Sequence, residues 1–99
     1  MCRLLGIVPA PGKVLDFSIV RSFRNLAVCG KVCEGSGQGH GDGWGIVGWK
    51  NGKPIYLGRE PANAFSDPIY EDACLRGESD QLSSPLIAHL RKASVGLKV

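Results

Sequence analysis

Trp44-Gly45-Ile46-Val47-Gly48-Trp49, then Asn51-Gly52, then Pro54-Ile55-Tyr56-Leu57-Gly58 follow one another with a single lysine at each joint. Asn-Gly between two apolar, β-branched and aromatic runs is a strong hairpin signal. Both residues tolerate the positive φ of a two-residue turn, whose twist matches that of the flanking strands. Pro54 is read as the first residue of the returning strand, where a missing N–H costs least. The middle of the chain is therefore expected to be sheet.

Upstream, residues 35–43 carry glycine at every second position. No side chains there build a core, and the backbone is free to approach a neighbour closely. Before that loop, residues 14–28 place Ile19, Phe23 and Leu26 at helical spacing, with Val20 and Ala27 beside them. Asp16 or Ser18 is expected to cap this helix, and Gly30 to end it. Residues 2–8 read as a short buried strand, closed by a turn at Pro9, Pro11 and Gly12.

Downstream, Ser66-Asp67-Pro68 marks a helix start, with Asp67, Glu71 and Asp72 near the positive end of its dipole. Arg76 and Gly77 suit its end. Residues 79–84 form a polar loop. Residues 85–90 are almost continuously apolar and predict a strand in the middle of the sheet. The order strand, helix, two strands, helix, strand gives an α+β fold with no internal repeat. Residues 95–99 carry no stop signal, so residues 1–99 are expected to be the N-terminal portion of a longer domain.

A chain of 99 residues with 43% hydrophobic and 21% charged residues fits one small globular domain. Its net charge of +3 is scattered, with no basic run and no aromatic interleaving, which sets nucleic acid aside as a partner. No apolar run approaches the roughly 20 residues of a membrane span. The start lacks the longer apolar region and cleavage site of a secretory signal, so the cytoplasm is the expected location. Thiols stay reduced there, so Cys2, Cys29, Cys33 and Cys74 are not expected to form disulfides.

Three segments can carry chemistry. Removal of Met1 would expose Cys2 with a thiol and a free α-amine on one residue. An amine with a pKa near ~8 can serve that thiol as a local base. By position alone, however, Cys2 is a cysteine buried in a first strand. The second segment, His40-Gly41-Asp42-Gly43-Trp44-Gly45, packs glycines around an acid and an aromatic. Its bland reading is a tight turn into the hairpin. The third, His89-Leu90-Arg91-Lys92-Ala93-Ser94, ends a strand with an arginine that can hold a carboxylate in two parallel bonds, and Ser94 adds a hydroxyl. Taken singly, Arg91 is a surface arginine paired with a nearby acid.

Taken together, Met1-Cys2-Arg3-Leu4-Leu5-Gly6, the His40-x-Asp42-Gly43-Trp44-Gly45 segment and His89-x-Arg91-Lys92-Ala93-Ser94 resemble, in order and spacing, the class II glutamine amidotransferases, which are N-terminal-nucleophile hydrolases. The likeness is nearest to the stand-alone bacterial type similar to the ergothioneine-pathway γ-glutamyl hydrolase. The resemblance implies a four-layer αββα sandwich, of which this chain would be an incomplete part. It implies that Cys2 attacks the side-chain amide of glutamine or of a γ-glutamyl conjugate, forming a thioester that water resolves to glutamate. Arg91 matches the arginine that holds the substrate α-carboxylate, and Ser94 a supporting hydroxyl. His40, Asp42, Gly43 and Trp44 fall near the active site. No metal or organic cofactor is implied. The family's Asn-Gly oxyanion pair follows the arginine strand, whereas Asn51-Gly52 precedes it and is read as a turn.

Other classes compete. Cys29-x-x-x-Cys33 with Cys2, Cys74 and His40 supplies enough ligands for a small zinc domain, although only one close cysteine pair exists. Gly43-Trp44-Gly45-Ile46-Val47-Gly48 formally fits a dinucleotide-binding loop, but a hairpin follows it where a helix is needed. A catalytically incomplete fragment, or a scaffold or binding module of the same fold, is the remaining alternative.

Overall fold

A computed structural model of the chain describes residues 2–29 and 41–92. The elements are β1 (Cys2–Ile7), α1 (Phe17–Phe23), α2 (Leu26–Cys29), β2 (Gly43–Lys50), β3 (Lys53–Glu60), α3 (Pro68–Ser79) and β4 (Leu86–Arg91). The strands form a four-stranded antiparallel sheet of order β1-β4-β2-β3. α1 packs against α3, and α3 against the sheet. The fold of the described residues is α+β, with one sheet and one helical layer.

The hairpin forms as its sequence requires. Asn51 and Gly52 take φ of 54° and 77°, and Lys50 faces Lys53. β3 begins one residue before Pro54 and is an edge strand, where a proline leaves no ladder bond unmade. A bulge then interrupts the ladder: Val47 faces Tyr56, but Ile46 faces Gly58, so Leu57 is the additional residue. Leu57 is buried, and its carbonyl accepts a hydrogen bond from the Arg76 guanidinium of α3.

β4 is interior, as its apolar run predicts, with Leu86, Ala88 and Leu90 fully buried on the helical side. β1 departs from expectation. It pairs only with β4, its residues alternate between exposed and half-buried, and Leu4 is 71% exposed. The helices cover one face of the sheet, and no described residue covers the other. Leu5 and Ile7 pack against the core while Cys2, Leu4 and Gly6 face outward.

The first helix is shorter than predicted and turned. Asp16 caps α1, accepting from Ser18 N at 2.9 Å. The buried stripe is Phe17, Val20, Phe23 and Ala27, and Ile19 is outward. A helix has room for either neighbouring stripe, and the larger one with Phe17 wins the core. The predicted end at Gly30 lies outside the described residues.

Asp67 caps α3 and Pro68 opens it, as predicted. Gly77 does not end it. The helix runs two residues further, and Gly77 lies buried against Phe17, where a Cβ would come within 2.6 Å of Phe17 Cε2. Tyr70 is fully buried between the layers. Its hydroxyl donates to the Val20 carbonyl at 2.6 Å, and burial raises its pKa above the ordinary value. Fully burying a side chain such as Ile46, Leu86 or Leu90 contributes about 1.5–3 kcal/mol. Across α1 and α3, Arg21 holds both Glu71 and Glu78, with its shortest contact 2.6 Å to Glu78, and Arg24 also reaches Glu71.

Candidate active site on the open face of the sheet

Antiparallel partners share a face, so the register places side chains in rows across the open side. In the first row Cys2 faces Arg91, and Arg91 faces Gly43. In the second, Leu4, His89, Gly45 and Arg59 follow from β1 to β3. In the third come Gly6, Ile87, Val47 and Tyr56. All three segments singled out in the sequence thus meet at one end of the sheet.

Cys2 is the first residue of β1 and exposed, not buried as a structural cysteine would be. Its Cα is about 5 Å from that of Arg91, the ordinary spacing of a cross-strand pair. Arg91 is half-buried at the last position of β4. Its carbonyl accepts from Asp42 N at 2.8 Å, which ties the glycine-rich segment to the arginine strand through backbone. Gly43 fits between Arg91 and β3, where a Cβ would stand 3.4 Å from the Glu60 carbonyl and 3.8 Å from Arg91 Cβ.

Trp44 meets the site through its position in the strand, while its indole belongs to the core. The side chain is 4% exposed, edge-on to Tyr70 with ring centroids 5.0 Å apart. Trp44 Nε1 donates to Asp67 Oδ2 at 2.9 Å, while Asp67 Oδ1 accepts from Ile69 N at 2.9 Å. One carboxylate therefore caps α3 and anchors the start of β2. His40 and Ser94, the remaining expected site residues, lie outside the described residues, as does Cys33.

An open groove of about 530 Å³ lies along the first two rows, with Gly43, Gly45, Arg59, Glu60, His89 and Arg91 among its walls. Gly45, Arg59 and His89 also border an apolar pocket of about 160 Å³ that includes Val47, Tyr56 and Ile87. Arg59, Arg91 and His89 around a glycine floor suit an anionic ligand, above all a carboxylate, with Glu60 as the one acid among the described residues of the same wall. The sequence reading gave no role to His89, Arg59 or Glu60. His89 was legible, since it sits two residues before Arg91 and strand alternation puts both on one face. Arg59 was not, because the bulge decides its face.

Cys74 is buried on the helical side, and burial pushes its thiol up to about 11. Cys2 lies on the other face, so the sheet separates them and neither one zinc ion nor one disulfide reaches both. Among the described residues, no three His, Cys, Asp or Glu side chains gather as a metal site. Residues 43–48 lie within β2 and lead into the hairpin, so the dinucleotide-loop pattern has no helix to open. No described helix is long and apolar enough to cross a membrane. No protein-family model, curated protein or solved structure matches this chain.

Proposed function

We propose that this chain is the N-terminal portion of a class II glutamine amidotransferase-like amidohydrolase, acting on the side-chain amide of glutamine or on a γ-glutamyl amide. The observation that carries this reading is the register, which sets Cys2 directly opposite Arg91 on an open face beside Gly43. Three segments far apart in sequence need not have met, and a buried Cys2 would have argued against them.

In this reading Met1 is removed and the α-amine of Cys2 takes the proton of its thiol. The sulfur attacks the amide carbon, a C–S bond forms, and the oxygen becomes an oxyanion that needs positioned donors. The C–N bond breaks as the amine returns its proton to the leaving nitrogen, releasing ammonia from glutamine. Water then attacks the thioester, giving glutamate and restoring the thiol. Arg91 holds the α-carboxylate throughout. Asn51-Gly52 has no part in this, since it turns the hairpin at the far end of β2. The reading places the second sheet of a four-layer sandwich over the open face, the oxyanion donors downstream of β4, and the protein in the cytoplasm. It requires no metal or organic cofactor.

The test is intact mass after incubation with the glutamine-mimicking electrophile 6-diazo-5-oxo-norleucine, on this chain and on one extended downstream. Loss of Met1 with one adduct at Cys2, absent in Cys2→Ala, is the expected result. An adduct on the extended chain alone places the missing donors downstream. Retained Met1 and no adduct on either chain refutes the proposal and leaves a scaffold of the same fold.

A further inference from the structure

The groove contains a cation that the proposed reaction does not yet use. Arg59 faces Gly45 from β3, and His89 faces the same glycine from β4. Arg59 is exposed and makes no ion pair with another described residue. Between the two side chains Gly45 leaves a trough, which Gly43 continues toward Arg91.

Gly45 is not explained by its backbone or by packing. It has no positive φ, and a Cβ there would meet only Arg59 Cβ, at 3.6 Å, an ordinary contact. Glycine inside a strand costs stability and often marks a bulge or a place where something else approaches closely; the bulge here falls one step further along, between Ile46 and Val47. A side chain at this position would fill the trough.

The dimensions point to what occupies it. Strands lie about 4.8 Å apart, so Gly43 is roughly 10 Å from Cys2, across β4. Four carbon–carbon bonds of about 1.5 Å put the α-carboxylate of an extended glutamine about 5 Å from its amide carbon. A thiol in attacking position adds about 3 Å, and the cysteine side chain about as much again. With the amide at Cys2 and the substrate extended across β4, the α-carboxylate reaches the glycines of β2. Arg91 approaches that point from β4, and Arg59 approaches it from β3.

We propose that Arg59 is a second substrate-binding residue, holding the α-carboxylate from across Gly45 while Arg91 holds it from the other side. This rests on the amidohydrolase reading above. The test follows the rate of Cys2 labelling by 6-diazo-5-oxo-norleucine in the wild type, Arg59→Gln and Arg59→Lys, with iodoacetamide, which has no carboxylate, as the second probe. It is run on whichever chain, as given or extended, takes the adduct.

Losing a charge-assisted contact should slow the diazo reagent by about tenfold or more in Arg59→Gln, with partial recovery in Arg59→Lys. The iodoacetamide rate should not change, because Arg59 is remote from the thiol and exposed. An unchanged diazo rate in Arg59→Gln overturns this role and leaves the amidohydrolase reading standing. Equal slowing of both probes overturns it too, since that marks altered thiol reactivity. Wild type that takes no adduct at Cys2 overturns both proposals together.

Discussion

Asp67→Ala removes two contacts with one substitution, and its cost can be worked from geometry. Asp67 Oδ1 accepts from Ile69 N and Oδ2 from Trp44 Nε1, each at 2.9 Å. Loss of the helix cap costs about 1 kcal/mol. Loss of the charged partner of an indole N–H in a residue only 4% exposed costs about 1.5–3 kcal/mol more. The sum, about 2.5–4 kcal/mol, is a large share of the roughly 5–15 kcal/mol that keeps a typical domain folded. It should lower Tm by roughly 10–30 °C. Asparagine has a single acceptor oxygen and can keep only one of the two bonds, so Asp67→Asn should fall between, at about 1–2 kcal/mol. The assay is urea unfolding followed by far-UV circular dichroism, with m unchanged across the series. An Asp67→Ala variant within about 0.5 kcal/mol of wild type, or an asparagine variant no better than alanine, refutes the two-acceptor account.

Further outcomes follow from packing and charge. Gly77→Ala should destabilise despite a helix-propensity gain of about 1 kcal/mol, because its Cβ runs into Phe17 at a cost of about 1–3 kcal/mol or more; Phe17→Leu in the same chain should recover part of the loss in urea unfolding. Stability should narrow at both ends of the pH range. Hydrogen bonds from Arg21 hold Glu71 and Glu78 below the usual carboxylate range, so their contribution is present above about pH 4.3 and is lost as pH falls through their folded values, less so in Arg21→Met. Burial raises Cys74 from 9.0 to about 11, so its contribution is present below 9 and falls by about 2 kcal/mol by pH 11. Urea unfolding at pH 3, 7 and 10.5 checks both directions, and iodoacetamide at pH 7 should modify Cys2 in the folded chain but Cys74 only after unfolding.

Local signals in the sequence were enough for the element order, except that the first helix is divided at Arg24-Asn25 into α1 and α2. Asn51-Gly52 and Asp67-Pro68 act through their own backbone preferences, and the apolar run of residues 86–90 is a burial signal that needs no partner to be read. The misreadings arose where a second element settles the outcome. Gly77 is written like a helix end, yet the Phe17 ring makes it a close-approach site. Ile19 has core chemistry, yet the neighbouring stripe packs inward.

The site divides along the same line. Cys2, the glycine-rich segment and Arg91 were each legible as residue types in their own segments, but only strand pairing made them neighbours. Register carries that information, and it depends on which strand β4 joins to which. The side chains of Trp44 and Arg59 show the strongest dependence. In an unbroken two-residue hairpin Arg59 would face Trp44 and point toward the helices. The single additional residue at Leu57 shifts the pairing by one, so Arg59 faces Gly45 and lines the groove. A period of two makes every strand residue's face depend on the parity of its register, and no local propensity encodes that parity.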